Sequence, residues 1–152
     1  MLHAKCHHIF SWSFTLSQDG VALVQIDWLP WVGQRAEVKI GNQAYTACRE
    51  SFWEGTYVLQ SGDKVVARAK KVDSRAFELY FALRRVELRA LSAWGKQQYG
   101  LFESEAQIGH ISATEALRRK AVIDLPGDIP IPVQVFLFWL VVILWRQFTD
   151  SG

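Results

Sequence analysis

The sequence predicts a mainly β protein in which about twelve strands form a closed barrel around one hydrophobic C-terminal helix. Three observations support this: short apolar runs separated by turn residues, a nearly uncharged segment at the end of the chain, and small residues along one face of a strand. Half of the 152 residues are apolar and 13% are aromatic, which excludes a disordered chain. The length predicts a single domain spanning 1–152.

The strands occupy residues 9–125. Ser17–Gly20, Gly41-Asn42 and Ser61–Asp63 are typical hairpin turns. Arg35–Ile40 alternates polar and apolar residues, as a half-buried strand does. We expect Ser112–Lys120 to be an exposed loop or a short helix. The predicted strands are Ile9–Leu16, Val21–Trp28, Arg35–Ile40, Ala44–Arg49, Tyr57–Gln60, Val65–Lys70, Ala76–Phe81, Val86–Leu91, Gln98–Phe102, Gln107–Ile111 and Ala121–Leu125.

The last part of the chain predicts a helix over about 132–148. Pro132 suits its first turn, and Gln134 is the one polar residue in Val133–Trp145. Arg146 then places a cation near the C-terminal end of the helix dipole. Because apolar residues lie on every side of this helix, protein or lipid must surround it.

Two interpretations of this helix remain open. As a tail anchor it would use residues 129–148, but the uncharged run Ile129–Trp145 has only 17 residues and contains two prolines. A membrane span needs about 20 apolar residues, and Trp139 lies in the middle rather than at an interface. These features favour a helix buried inside the protein.

The strands also favour a buried helix. Val65, Ala67 and Ala69 share one face of a predicted strand, and such small side chains leave space inside a barrel. The tail supplies bulky residues to fill that space: Phe136, Phe138, Trp139 and Trp145. A barrel too wide to fill with its own side chains needs a plug.

Two stretches resemble the superfamily of tubby C-terminal domains, plant LURP-one-related proteins and phospholipid scramblases. Tyr99–Glu103 through Ile108–Ile111 is similar to the family's late strand pair with a G-x-I element. Val122–Ile129 and the tail resemble its F-x-I-x-F-P-x-D-L strand and final helix. The resemblance covers about the last 55 residues, and it implies a twelve-stranded barrel around the C-terminal helix.

The chain departs from this family where the family binds ligands. Scramblases carry an acidic run before this proline, whereas Leu117–Ala121 is basic here and only Asp128 matches a carboxylate. Because Ca²⁺ needs several oxygen ligands, we carry over no calcium site. The lysine and arginine phosphoinositide site of tubby proteins has no match either.

The sequence offers no catalytic motif, so we expect no enzyme activity, no metal and no cofactor. His3, Cys6, His7 and His8 are the nearest approach to a metal site, yet we expect a solvated terminus there. His110 is expected to be structural or exposed. The cysteines, Cys6 and Cys48, are expected to be two unpaired buried thiols rather than a disulfide, as in a reducing compartment.

Basic residues give the one hint of a binding surface. A net charge of +2 does not indicate a nucleic-acid binder. The residues that we name as candidate contacts to an anionic surface are Arg84, Arg85, Arg118, Arg119 and Lys120. A further basic cluster contains Arg68, Lys70 and Lys71. The aromatic loops, Trp28–Trp31 and Phe52-Trp53, either pack across a barrel mouth or form a contact patch.

The function expected from the sequence is a non-enzymatic binding or interaction module. Its partner would be anionic membrane lipid at a membrane surface or another protein, and its location cytoplasmic, without a visible signal peptide. The alternatives are a tail-anchored membrane protein and a carrier or enzyme for a small ligand. The sequence predicts neither the identity of the partner nor the oligomeric state.

Overall fold

The computed structural model of the chain describes residues 1–7, 13–28, 34–51, 55–91, 98–114 and 120–151, without the side chains of 51 and 147–151. The chain forms a closed antiparallel barrel of twelve strands with one helix, as predicted. The strands follow one another around the barrel, and β1 closes it by pairing with both β2 and β12. The elements are β1 (Leu2–Cys6), β2 (Phe14–Gln18), β3 (Val21–Trp28), β4 (Arg35–Ile40), β5 (Gln43–Ser51), β6 (Thr56–Ser61), β7 (Lys64–Asp73), β8 (Ala76–Phe81), β9 (Arg84–Ala90), β10 (Gln98–Glu103), β11 (Ala106–Ala113), β12 (Lys120–Asp124) and α1 (Ile131–Ser151).

The N-terminal strand corrects our expectation of a solvated terminus. Leu2, Ala4 and Cys6 face the barrel interior and are buried, whereas His3 and Lys5 between them are exposed. This strict alternation is the pattern of a half-buried strand, and it was visible in the sequence. The strand predicted over Ile9–Leu16 lies partly outside the described residues, and its described part begins only at Phe14.

The helix is the core of the barrel. Its side chains from Val133 to Trp145 are all buried, although the one at Gln134 is polar. Within the part of the chain that the structure describes, no helix has the length and hydropathy needed to cross a membrane. The helix begins at Ile131 and continues to Ser151, and its burial inside the barrel agrees with the interpretation as a core helix.

Aromatic rings from the strands surround the middle of the helix. The ring of Trp139 lies edge-on to Trp28, with centroids 6.1 Å apart, and to Tyr57, with centroids 5.8 Å apart. The ring of Phe138, the residue before Trp139, lies edge-on to Phe14, with centroids 4.9 Å apart. Edge-to-face pairs of this kind contribute about 0.5–1.5 kcal/mol beyond the area that they bury. The bulky tail residues thus fill the barrel as the sequence predicts.

A short turn directs the chain into the helix. The amide of Ile129 donates to the carbonyl of Pro126, 3.1 Å away, and closes the turn. The Gln134 side chain then donates to the carbonyl of Ile129 over 2.9 Å. This hydrogen bond explains why a buried polar residue is tolerated in an otherwise apolar helix, because its amide finds an acceptor inside the protein.

The two ends of the barrel differ in their connections. Five two-residue turns lie at the end where the chain also enters the helix, and we call this end the turn rim. They are Asp19-Gly20, Gly41-Asn42, Gly62-Asp63, Ala82-Leu83 and Ser104-Glu105. The opposite end carries the connections after β1, β3, β5, β7, β9 and β11.

One predicted inward residue proves exposed. Ala67 and Ala69 are buried, but Val65 is not. Leu59 pairs with Ala67 and Gln60 pairs with Val65, so Val66 is an extra residue in β7. Beyond such a bulge, the side chains that would point inward point outward instead. The prediction that Val65 faces the interior assumed a strict period of two, and it is therefore wrong.

Candidate functional site

The Ala82-Leu83 turn differs chemically from the other turns of the rim. The other four contain Asp, Gly, Asn, Ser or Glu, whereas this one is wholly apolar. Both of its residues have positive φ, 45° at Ala82 and 63° at Leu83. That conformation suits Asn-Gly or Asp-Gly in a hairpin. A residue with a Cβ is strained there by about 1–2 kcal/mol.

Leu83 is also the most exposed large apolar residue in the described part of the chain, at 109% of the reference area. A single exposed leucine on a protein surface needs no explanation. An exposed leucine held in a strained backbone conformation is a different case, because strain of this kind concentrates at functional sites. The turn therefore marks a candidate contact surface.

A groove adjoins this turn on the β7 side. The ladder between β7 and β8 stops at the Arg68–Tyr80 pair, although β7 continues to Lys64 and β8 to Phe81. The bulge at Val66 bends β7 at this point. The groove has a volume of about 580 Å³. It is lined by Val65, Val66, Ala67, Arg68, Tyr80, Phe81, Ala82, Leu83, Arg84 and Arg85.

Arg84 ties the base of the turn to β10 and to the turn that leads into the helix. Its Nε and Nη2 donate to the two carboxylate oxygens of Glu103, each over 3.1 Å, and its Nη1 donates to Asp128 over 3.2 Å. These bonds hold the pKa of Glu103 below its usual range and raise the pKa of Arg84. Arg84 also lies 5.3 Å from the centre of the Phe81 ring. The turn is thus fixed at its base while its tip stays exposed.

Arg85 belongs to an exposed row that crosses three strands. It pairs in register with Tyr80, which in turn pairs with Arg68. Arg85 forms a short ion pair with Glu78, and the Tyr80 hydroxyl donates to the same carboxylate over 3.1 Å. The bonds from Arg85 and Tyr80 lower the pKa of Glu78. Arg68 bonds to Glu50 at 2.9 Å.

The structure does not bring the predicted basic contacts together. Arg84 and Arg85 lie at the turn rim, whereas Lys120 begins β12 at the opposite end, where it is exposed. Arg118 and Arg119 lie outside the described residues. Arg84 and Arg85 each have carboxylate partners, so these two arginines form local ion pairs rather than a patch of unbalanced positive charge.

The predicted His/Cys cluster is divided by the wall of the barrel. Cys6 faces the interior, and His7 faces outward, where its Nε2 lies 2.7 Å from the Thr15 hydroxyl. His8 lies outside the described residues. Across the described ranges, no group of three His, Cys, Asp or Glu side chains is placed to hold a metal ion. Cys6 and Cys48 are not joined by a disulfide, and Cys48 is half-buried rather than buried.

Of the predicted aromatic loops, Trp28 is the residue that lies within the described part of the chain. Trp28 packs into the mouth, where Arg146 lies 5.0 Å from the centre of its ring. Residues 29–31 and 52–53 lie outside the described residues. His110 is on β11, partly exposed, with its Nδ1 4.0 Å from Asp124.

Sequence reasoning named Arg84 and Arg85 but missed the turn beside them. Phe81–Arg84 contains no Gly, Pro, Asn or Asp, which are the residues that signal a turn. The one available signal was the short spacing between two predicted strands, Ala76–Phe81 and Val86–Leu91, which requires a tight connection.

No protein family, curated protein or solved structure matches this chain at a significant level. The resemblance to the tubby-like superfamily therefore stays a prediction, because a closed barrel does not by itself identify a family.

Proposed function

We propose that this protein is a non-enzymatic binding module that presents the Ala82-Leu83 turn and the adjoining groove to a protein partner. The observation that carries the proposal is the fully exposed Leu83 in a left-handed backbone conformation. Burying a leucine side chain in an interface contributes about 1.5–3 kcal/mol. Such a contact would offset the strain in the turn.

The architecture agrees with binding at the surface rather than inside the barrel. The helix occupies the interior, where side chains such as Phe136, Leu140 and Trp145 are buried. A carrier that encloses its ligand needs that space. The groove at the rim, by contrast, has a size within the ordinary range of ligand sites.

The charges at the turn rim favour a protein partner over an anionic membrane. Arg84 and Arg85 are already paired with carboxylates. Asp19, Asp63 and Glu105 are exposed on other turns of the same rim. An anionic lipid surface would repel these carboxylates, whereas a protein surface offers both signs of charge.

We also propose a distant relationship to the tubby-like, LURP-one-related and scramblase superfamily. The support is architectural: twelve strands, a C-terminal helix in the core, and the order of strand, proline turn and helix at the end of the chain. No ligand, activity or site residue follows from this relationship.

The proposed function can be tested by photo-crosslinking in the cells that contain the protein. A benzophenone amino acid is placed at position 83, and in a second variant at position 105, which lies in the matched Ser104-Glu105 turn. We expect a discrete protein adduct from position 83 and not from position 105. The adduct should disappear when Ala82 is replaced by Asp in the position-83 variant.

Three outcomes would contradict the proposal. These are the same products from both positions, no adduct from position 83, or adducts with lipid alone. The last outcome would assign the surface to a membrane instead, and sedimentation with anionic liposomes at low and high salt would then check it.

A further inference from the structure

We infer that Arg84 is a latch between the strained Ala82-Leu83 turn and the entry of the helix. The turn is presented to a partner only while this latch is closed. The inference rests on the proposed function and adds a means of regulation to the same site. Three features of the described residues carry it: the position of the backbone strain, the direction of the Arg84 side chain and the bonds that this side chain makes.

Backbone strain at the turn rim is concentrated beside Arg84. Five residues other than glycine have positive φ in the part of the chain that the structure describes, and four of them lie in the Ala82-Leu83 and Ser104-Glu105 turns. The Phe81–Arg84 pair closes the first turn, and the Glu103–Ala106 pair closes the second. Such a turn relieves its strain when its closing pair opens, because a longer loop does not require two positive φ angles.

The closing pair of the Ala82-Leu83 turn is anchored on both sides. Phe81 is only 5% exposed, so its ring holds one side of the turn in the core. On the other side, bonds from Arg84 to Glu103 and Asp128 hold the start of β9 at the rim. The Arg84 guanidinium also lies 5.3 Å from the centre of the Phe81 ring. Opening the pair would disturb these contacts, so they keep the two-residue turn closed.

Arg84 and Arg85 leave β9 on opposite faces. Side chains alternate along a strand, and Val86 is buried inside the barrel, so Arg84 lies on the inner face and Arg85 on the outer face. The inner face at the rim adjoins the turn that leads into the helix. Arg84 therefore reaches Asp128 in that turn, whereas Arg85 bonds to Glu78 on the outer surface.

One guanidinium group thus joins three connections of the rim. Arg84 closes the first strained turn, and it bonds to both carboxylate oxygens of Glu103 at the base of the second. Its remaining donor bonds to Asp128 before the helix. A bidentate pair between arginine and a carboxylate fixes direction as well as distance. Because the three connections share one side chain, a displacement of one of them strains the bonds to the other two.

A closed latch lowers the cost of a contact at Leu83. A partner that meets an ordered turn does not have to order it, so less of the contact energy is lost as conformational entropy. A displacement of the helix entry that draws Asp128 away would release Arg84 and leave the turn mobile. Contact at Leu83 and the position of the helix entry would then influence each other, as linked equilibria do.

Backbone ¹⁵N relaxation of the purified full chain tests the latch without a partner. We expect the amides of Ala82 and Leu83 to have order parameters of about 0.85 in the wild type, as rigid backbone does. In R84Q they should fall below about 0.6, the range of flexible backbone. D128A removes only the bond to the helix entry, and it should lower them part of the way. Asp128 is 70% exposed, so D128A should leave the barrel folded.

Two arginine variants are matched controls. R85Q removes the neighbouring guanidinium on the outer face, and R75Q removes an exposed arginine at the opposite end of the barrel. Neither should change the order parameters of residues 82 and 83. In cells, R84Q should reduce the yield of the protein adduct from position 83, and R85Q should not. Circular dichroism of each variant checks that the barrel is folded.

The inference is overturned if R84Q leaves the turn as rigid as in the wild type, if the wild-type turn is already mobile, or if R85Q makes it equally mobile. If R84Q makes the turn mobile and position 83 still cross-links the same protein in equal yield, the inference fails and the proposed function stands. If the order parameters change as expected but position 83 cross-links no protein, the proposed function fails and the latch remains a property of the fold.

Discussion

The helix core and the Ala82-Leu83 turn use the same apolar chemistry in opposite ways. Trp139 is enclosed by the rings of Trp28, Tyr57 and Phe136, and its backbone lies within a regular helix. Leu83 is enclosed by nothing in the described chain, and its backbone is held at positive φ. In the core, the backbone conformation and the burial of the side chain are both favourable. At the turn, the backbone is strained and the apolar side chain is exposed to water, so both are unfavourable.

This difference indicates which region serves stability and which serves contact. A sequence specifies a fold best when propensity, patterning and packing agree, and natural proteins depart from that agreement mainly at functional sites. The neighbouring Ser104-Glu105 turn has the same strained conformation but carries exposed polar residues. The combination of strain and exposed apolar area therefore distinguishes Ala82-Leu83.

The largest expected effect comes from a charge in the core. W139D would bury an unpaired carboxylate and remove the ring contacts, at a cost of several kcal/mol. Since a domain of this kind has about 5–15 kcal/mol of stability, we expect a chain that is unfolded or aggregates. Circular dichroism and a thermal melt measure this.

W139F is the matched control for W139D. The Trp139 indole N–H has no hydrogen-bond acceptor among the described residues, so phenylalanine loses volume but no hydrogen bond. We expect W139F to fold with a lowered melting temperature. A W139D protein that melts cooperatively near the wild-type temperature would contradict the core role of the helix.

An intermediate effect is expected at Gly109, where β11 lies against the end of β12. A Cβ at this position would lie 2.7 Å from the carbonyl oxygen of Asp124 and 3.1 Å from the Cα of Leu125. Because backbone atoms must shift, G109A should destabilise the protein by about 1–3 kcal/mol. G127A is the control, since nothing lies within 4 Å of its Cβ. Equal urea midpoints for the two variants would disprove this close packing.

A small effect is expected from pH at the base of the turn. Hydrogen bonds from Arg84 lower the pKa of Glu103 in the folded state. A lowered folded pKa stabilises the protein above the unfolded pKa, about 4.3, and this contribution is lost as the pH falls. R84Q should therefore reduce the loss of stability between neutral and acid pH, whereas R75Q should not. Urea unfolding at neutral and acid pH measures these losses. Equal losses of unfolding free energy for R84Q and wild type would contradict the prediction.

The sequence predicted the fold better than the candidate site, for physical reasons. The core helix was predictable because Val133–Trp145 is apolar on every side, and the hairpins at Asp19-Gly20 and Gly62-Asp63 carry standard turn residues. The Ala82-Leu83 turn was not predictable from residue type, since its conformation is imposed by pairing of Phe81 with Arg84. The groove depends on a bulge at Val66, which no residue type signals.

The unfolding free energy of A82N/L83G tests most directly the central claim that this turn is retained for contact and not for stability. Asn-Gly is the preferred sequence for a hairpin turn with two positive φ angles, and Leu83 buries no surface within the described chain. We expect A82N/L83G to unfold at a higher urea concentration, with about 1 kcal/mol more stability. A lower midpoint than wild type would show that Ala82-Leu83 stabilises the barrel, and it would contradict the claim.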